Sequence, residues 1–377
     1  MWVRHRLVAA VAAAGAITTA GFMAAPGAEA LPSTSHVFIH HFHHLKTLAS
    51  TVPHNGDLNP YGVFVVRHST GRLQRGSVLV SNFNNKSNEQ GTGSTIVQIT
   101  PSGHRTLFAR IKASALPGKC PGGVGLTTAL EVLPGGWVVV GSTPSKNGMA
   151  ATAKAGCLIV LNSNGTPVET FSGHGINGPW DAALATSGGV ATLFVDNVLN
   201  GTVAAGGKVV HGGTVLRLTL LLSGSSKPKW VATTKIGSGF AEQTNASAFV
   251  LGPTGLGLGS WDKLYVAETD TNVITAIPNA LTRSGSAGTG ALVSSGGALN
   301  MPLGLAIAPN GDILTVNGGD GRLVETTPAG AQIATRYLDS TPPAPLGAGA
   351  LFGLAVKPGG HGIYYVDDDT NTLRLLH

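Results

Sequence analysis

NMPLGLAIAPNGDILTVNGGDGRLVETTPAGAQIATRYLD, from Asn300 to Asp339, is the stretch that decides the fold of this chain. It holds four short apolar segments, separated by turn sequences at residues 309–311, 318–321 and 328–330. Short segments rich in β-branched residues and bounded by Gly, Pro and Asn are typical of strands joined by tight turns. The stretch therefore predicts a four-stranded antiparallel meander of about 40 residues, which is the length of one propeller blade.

The same unit recurs along most of the chain. Its first strand, at residues 301–306, has counterparts at residues 59–63, 123–126, 178–182, 252–256 and 351–355. Second and third strands follow each copy, but the sixth copy reaches His377 directly after its third strand. Residues 44–49 resemble the fourth strand at residues 104–109, so they can supply the missing outer strand and remove an unpaired sheet edge. We predict an all-β, six-bladed β-propeller over residues 31–377, a single domain whose last blade is closed by the N-terminal strand.

Residues 1–30 differ from everything that follows. Arg4 and Arg6 precede an apolar run at residues 7–25, and Ala28-Glu29-Ala30 ends the segment with small residues. This layout predicts a secretory signal peptide with cleavage after Ala30. The alternative is a membrane anchor, but the run is mostly Ala and Gly and no Cys follows it to take a lipid. We expect a secreted or periplasmic protein without a stable membrane anchor.

Composition narrows the classes of partner. Only 11% of residues are charged, Gly occurs 54 times, and the net charge is +6. Lys and Arg are scattered along the sequence, which argues against nucleic-acid binding. We expect a monomer whose partner is a carbohydrate, a small molecule or a protein.

The phrase Pro302-Leu303-Gly304-Leu305-Ala306, followed by Asn310-Gly311-Asp312, resembles the NHL-repeat propeller family. The phrase returns as Phe352-Gly353-Leu354-Ala355, followed by Tyr364-Tyr365-Val366-Asp367. The resemblance implies the propeller fold over nearly the whole mature chain. It does not specify an activity, because such propellers include ligand-binding proteins, lactonases and lyases.

Polar residues concentrate on one predicted face of the ring. We call it the upper face; it carries the starts of the first strands and the turns between second and third strands. The predicted ligand-binding residues at the upper mouth of the channel are Asn59, Asn177, Asp181, Asn245, Asn300, Asp196, Asp320 and Asp367. A ring of Asn and Asp can hold a sugar or a hard divalent cation such as calcium. The same residues are also common in turns for structural reasons.

A metal-dependent enzyme is the alternative hypothesis. Gluconolactonase-type relatives, which resemble this chain in fold, hold a divalent metal in the channel and open their first blade with a metal-binding Glu near a Gly-Pro step. Here that position is Asn59-Pro60-Tyr61-Gly62, without a carboxylate. The predicted inner strands also lack the zinc-binding His residues of amidating-lyase relatives. Asp181, Asn245 and Asn300 remain candidate ligands for a metal-assisted hydrolase, lactonase or lyase.

The segment from His36 to His44 is a histidine-rich tract with five histidines. On a strand, His41 and His43 would share a side, so this tract predicts a possible metal site separate from the channel. The alternative is a polar segment leading into the closing strand.

Cys120 and Cys157 are the two cysteines of the chain. An even number in an exported protein predicts a disulfide between them, although two reduced thiols are the alternative.

The sequence contains no recognisable catalytic set. The leading hypothesis is therefore an exported propeller that binds a ligand through its upper face.

Overall fold

The computed structural model describes residues 37–377, so the predicted signal peptide and His36 lie outside the described residues. The described chain begins with a 3-10 helix at Phe38–His41, followed by strand β1 (Leu45–Ser50). Five complete antiparallel sheets come next along the chain. Blade 1 is β2 (Leu58–Val65), β3 (Val78–Asn84), β4 (Thr95–Ile99) and β5 (Arg105–Arg110); blade 2 is β6 (Leu126–Leu133), β7 (Trp137–Ser142), β8 (Cys157–Leu161) and β9 (Pro167–Phe171).

Blade 3 carries an additional fifth strand. It contains β10 (Pro179–Ser187), β11 (Val190–Asn197), β12 (Val210–Leu221), β13 (Lys229–Asn245) and β14 (Phe249–Leu251). Blade 4 is β15 (Pro253–Leu258), β16 (Leu264–Glu268), β17 (Val273–Ile277) and β18 (Ala291–Ser295). Blade 5 is β19 (Pro302–Ile307), β20 (Ile313–Asn317), β21 (Arg322–Thr326) and β22 (Gln332–Tyr337). Blade 6 is β23 (Leu351–Val356), β24 (Ile363–Asp367) and β25 (Thr372–Leu376), completed by β1.

Helices are few and short in this part of the chain. They are α1 (Thr202–Ala205) and further 3-10 helices at Ala113–Ala115, Ala150–Thr152 and Ser260–Asp262. Within residues 37–377, no helix is long and apolar enough to cross a membrane.

The ring closes as the sequence predicts. β1 pairs antiparallel with β25, from Leu45 opposite Leu376 to Ser50 opposite Thr372. The six-bladed β-propeller and its closing strand are therefore confirmed. The inner strand of blade 2 was predicted at residues 123–126, but β6 begins only at Leu126. The predicted and observed strands share one residue, so that prediction was wrong.

The glycine of the repeated phrase has a packing role. A Cβ atom on Gly304 would lie 2.2 Å from the carbonyl oxygen of Phe352, and one on Gly353 would lie 2.1 Å from that of Tyr61. Both distances are far below van der Waals contact, so only glycine allows neighbouring inner strands to approach this closely. Apolar side chains fill the spaces between blades, and the inner strands surround a central channel.

Candidate functional site: a central cavity open at the lower face

Aromatic side chains fill the upper end of the channel. Tyr61 stacks on Phe352 with ring centroids 4.2 Å apart and on Phe83 at 4.6 Å. Trp180 meets Tyr61 edge-on at 5.7 Å, and Phe249 meets Phe83 at 5.3 Å. We call these five residues the upper cluster. Because all except Phe352 are almost fully buried, this end of the channel is closed.

The additional strand of blade 3 covers the same end. The hairpin formed by β14 and the end of β13, residues 243–251, is called the arm. Its Phe249 has a left-handed backbone (φ 66°) and inserts its ring into the upper cluster. At the tip of the arm, the side-chain amide of Gln90 in blade 1 donates a hydrogen bond to the carbonyl oxygen of Ser247 (3.0 Å). The arm thus reaches from blade 3 to blade 1 across the upper mouth.

The lower half of the channel is a cavity of about 1000 Å³. All six inner strands contribute to its wall, and the turns after them form its opening on the lower face, the face opposite the upper cluster. Apolar side chains and polar backbone groups share the wall, which also carries two carboxyl groups and has three basic residues at its opening. The apolar wall residues include Val63, Leu130, Leu256, Leu305, Leu354 and Val356, and the basic residues at the opening are Arg67, His68 and Lys357.

Two carboxyl groups occupy this cavity, those of Asp181 on β10 and Glu131 on β6. Asp181 sits at a register shift between β10 and β11, and its side chain accepts a hydrogen bond from the backbone N–H of Leu256 (Oδ2, 2.9 Å). Its own N–H donates to Oδ1 of Asp196, which lies behind it (2.6 Å). No hydrogen bond links the Glu131 carboxyl to any residue between 37 and 377. The cavity therefore contains one anchored and one free carboxyl group.

Burial raises the pKa values of these carboxyl groups toward neutral pH. Desolvation raises the pKa of Asp181 to about 7. It raises the pKa of Glu131 to about 8, with the charge of Asp181 adding to the shift and Arg67 opposing it. Burial and the neighbouring Asp181 also raise the pKa of Asp196. Carboxyl groups with such values can exchange a proton, or become charged, at physiological pH.

The predicted upper-face residues of blades 5 and 6 hold turns together. The Asn300 amide donates to Asp320 (Oδ2, 3.3 Å), whose other oxygen accepts from Asn317 (3.0 Å). Asp367 accepts from the backbone N–H of Thr370 (3.0 Å) and pairs with Arg374 (2.6 Å). A ligand-binding role for these residues stays a prediction, and the contacts give each one a structural role.

The remaining predicted residues are spread over separate places. The Asn59 N–H donates to Asn371 (Oδ1, 2.8 Å), and the Asn177 N–H donates to Asn197 (Oδ1, 2.9 Å). Asn245 was expected at the start of an inner strand, which is wrong. It ends β13 in the arm, where its side chain accepts from the N–H groups of residues 247 and 248. Of the predicted set, Asp181 alone lines the central cavity.

The described part of the histidine tract, residues 37–44, does not form a strand. His40 and His41 end the 3-10 helix, and His43 follows it, so the alternation that was expected to align His41 with His43 is wrong. All three side chains are exposed. Their binding of a metal stays a prediction.

The predicted disulfide is present between Cys120 and Cys157. It connects the loop before β6 to the start of β8, at the upper side of blade 2. A disulfide indicates an oxidising compartment, which agrees with export without demonstrating it.

Glu131 is the site residue that the sequence analysis missed. The predicted inner strand of blade 2 ended at Leu126, five positions before it along the chain. The signal that could have revealed it is the apolar run from Leu126 to Leu133, in which Glu131 is the one charged residue. A charge inside such a run is either paired or functional.

The described residues do not fit the channel metal of gluconolactonase-type enzymes. Asn59, Asn245 and Asn300 each make the separate local contacts given above, and none of these contacts involves Asp181. Among residues 37–377, no group of three or more His, Cys, Asp or Glu side chains is arranged to hold a metal ion.

Comparisons with known proteins agree on the fold. No protein-family model and no curated protein matches the sequence. Solved structures do match: a gluconolactonase from Xanthomonas campestris has 14% identity and a TM-score of 0.51, with 88% of each chain covered. A calcium-binding protein, regucalcin, from Agrobacterium tumefaciens has 12% identity and a TM-score of 0.52, covering 88% of this chain and 93% of its own. A luciferin-regenerating enzyme has 12% identity and a TM-score of 0.52, covering 87% and 94%. At these identities the likeness establishes the propeller fold, and the NHL-repeat resemblance stays a prediction.

Proposed function

We propose that this protein is an exported propeller that binds a small organic molecule in the central cavity, which the molecule enters from the lower face. The observation that carries the proposal is the cavity itself, with about 1000 Å³ enclosed by six inner strands. This volume is at the upper end of the range for small-molecule sites, roughly 300–1,000 Å³. Such sites combine apolar walls with a few polar groups that orient the ligand, and Asp181 and Glu131 are suited to that role.

The geometry favours the lower face over the upper face of the original hypothesis. The upper cluster and the arm cover the upper mouth of the channel. A carbohydrate or protein bound there would contact the outside of a closed surface, whereas the lower cavity can enclose most of a small molecule. Enclosure provides the buried area from which small ligands obtain their affinity.

A blocking substitution tests this proposal. Thr186 is exposed and lines the cavity near the end of β10, so Thr186→Trp should fill the opening without disturbing the core. Ser102→Trp, in an exposed turn of blade 1, is the matched control. A fragment library screened by ligand-observed NMR should give binders that Thr186→Trp abolishes and Ser102→Trp retains. Binders that survive Thr186→Trp, or a library without binders, would refute the proposal.

Acid–base catalysis is the second candidate function, and the shifted carboxyl groups favour it. With pKa values of about 7 for Asp181 and about 8 for Glu131, one group can be ionised while the other holds a proton near neutral pH. A hydrolase or lyase needs such a pair to accept and donate protons. This candidate assigns no step to a metal.

Turnover of a lactone and ester panel tests the second candidate. The rate should follow a bell-shaped pH profile, and Glu131→Gln and Asp181→Asn should each lower kcat by about 10²-fold or more. Activity that persists in both variants would exclude this pair as the acid and base. Elemental analysis of the purified protein, with and without chelator, tests separately whether a metal such as calcium takes part.

A further inference from the structure

We propose that the ligand carries a primary ammonium group, which binds between the carboxyl groups of Glu131 and Asp181, and an apolar body that lies along the cavity wall. This inference rests on the proposed function and specifies the chemical class of the ligand.

The acidic groups in the cavity, Glu131 and Asp181, form no ion pair within residues 37–377, and Arg67 acts on Glu131 only through its charge. Asp196, fully buried behind Asp181, adds a third carboxyl group whose Oδ2 atom has no hydrogen-bond partner within residues 37–377. Buried carboxylates without a compensating charge are strongly disfavoured. A cation supplied by the ligand would compensate the charge that the protein leaves unpaired.

The hydrogen-bonding capacity of the site agrees with an ammonium group. An ammonium group is a donor with three N–H bonds and no acceptor, and ionised carboxyl groups are acceptors only. Glu131 has both oxygens available, and the Asp181 carboxyl group, which accepts backbone N–H bonds from Leu256 and Ala182, keeps further acceptor positions. Charge-assisted hydrogen bonds of this type are about twice as strong as neutral ones.

The walls and the opening define the rest of the ligand. The inner strands also present Val, Leu and Ile side chains to the cavity, which suit an aliphatic or aromatic body. The basic groups Arg67, His68 and Lys357 lie at the opening, and Arg67 is the cation whose charge acts on Glu131. An ammonium group placed at the opening would be repelled, so the cavity favours the orientation in which it lies deep.

Binding of a cation should be coupled to proton release. The charged groups around the acidic pair are Arg67 and His68 after β2, Asp196 on β11 and Lys357 after β23. Burial keeps Glu131 and Asp181 largely protonated near pH 6.5, with pKa values of about 8 and about 7. An ammonium ion requires them ionised, so it should displace protons at pH 6.5 and few at pH 9.

The test uses hexylamine, hexanol and hexanoate, which share one apolar body. Isothermal titration calorimetry of the full-length mature protein should show hexylamine binding about tenfold or more tightly than hexanol, and hexanoate most weakly. In two buffers of different ionisation enthalpy, hexylamine should release about one to two protons per molecule at pH 6.5 and close to none at pH 9. The amine remains charged throughout, because an alkylammonium group has a pKa near that of Lys, about 10.4.

Variants separate the inference from the proposed function. Glu131→Gln and Asp181→Asn should each reduce hexylamine binding to the level of hexanol while leaving hexanol binding unchanged. Glu169→Gln, which removes a carboxylate on outer strand β9 that pairs with Lys227, is the control and should retain the preference. Equal binding of amine and alcohol to the unaltered protein would overturn the inference and leave the proposed function intact.

Other outcomes also decide the question. Binding of calcium chloride at Glu131 and Asp181 without any binding of hexylamine would overturn the inference. If none of the three hexyl compounds binds, the inference is overturned as well, whereas the proposed function falls only if the Thr186→Trp screen also fails. Thermal unfolding of each variant confirms that a loss of binding is not a loss of fold.

Discussion

The two ends of the central channel are built from the same six strands but have opposite properties. At the upper end, Tyr61, Trp180 and Phe352 come from inner strands and pack against Phe83 and Phe249. A few residues further along the same strands, the lower end is an open cavity containing Asp181 and Glu131. One end of the ring therefore contributes stability through packing, while the other retains the carboxyl groups that a ligand can bind.

Removing the ring of Trp180 should give the largest loss of stability among the substitutions considered, because it disrupts the upper cluster. Trp180→Ala leaves a large cavity among buried rings, so we expect the free energy of unfolding to fall by about 3–5 kcal/mol. Urea denaturation measures this change. Trp261→Ala is the control, because its indole is 89% exposed on a lower turn and its loss should change stability by less than about 0.5 kcal/mol. Similar losses in both variants would contradict the view that the upper end holds the ring together.

The disulfide should rank next. Replacing both Cys120 and Cys157 with Ser removes a link between residues 37 positions apart, which should cost about 3–4 kcal/mol by the chain-entropy relation. The measurement is urea denaturation of the double variant beside the oxidised parent. Fragment binding in the lower cavity should be unchanged, since the bond lies at the upper side of blade 2. Loss of binding in a folded double variant would mean that the two ends are coupled.

The pH dependence of stability probes the lower end. The folded-state pKa of Glu131, about 8, lies above its unfolded value of about 4.3, so the folded chain binds the extra proton between these values. Stability from this group is therefore complete below about pH 4 and is lost as pH rises toward 8. Asp181 acts in the same direction. The two pKa shifts correspond to a decline of up to about 6 kcal/mol between pH 5 and pH 8, which solvent in the open cavity reduces.

The double variant Glu131→Gln, Asp181→Asn isolates this contribution. Its stability should fall less steeply with pH, measured by urea denaturation at pH 5, 6.5 and 8. Some slope should remain, because burial also raises the pKa of Glu242 to about 8 and that of Glu268 to about 7 elsewhere in the ring. An unchanged slope would show that the cavity carboxyl groups are already ionised in the folded protein.

The anchor of the arm should give the smallest effect. Gln90→Ala removes one side-chain hydrogen bond to Ser247 and should lower stability by about 0.5–1.5 kcal/mol. Hydrogen exchange at residues 243–251 should accelerate more than exchange in the inner strands, because the loss is local. Exchange that accelerates equally throughout the ring would argue against a separately attached arm.

Most of the fold could be predicted from the sequence because the repeat is local. Each blade contains its strands and turns within about 40 residues, and Gly304 and Gly353 recur because the inner strands of blades 5 and 6 each approach a neighbouring inner strand too closely for a Cβ atom. The last blade also lacks an outer strand of its own, which indicated that β1 completes it. Periodic, short-range patterns of this kind are the ones that a single sequence expresses most clearly.

The candidate site was harder to predict because it depends on departures from the repeat. The arm exists in blade 3 alone, and it moved Asn245 from an expected inner strand to a hairpin that covers the channel. The late start of β6 hid Glu131, whose importance comes from Asp181 on another blade. These contacts and charge interactions join residues that are remote in sequence, so no local sequence pattern predicts them.

The pairing of β1 with β25 also has a consequence for the order of events during synthesis. Just after β1, Thr51 bonds to the carbonyl oxygen of Asn371, a residue 320 positions later. Chains are made from the N-terminus, so β1 must remain an unpaired edge strand until every blade has been produced. Contacts over such a separation form slowly, and open strand edges attract other chains. We therefore expect the chain to be most prone to aggregation in the interval between synthesis of its first strand and synthesis of its last.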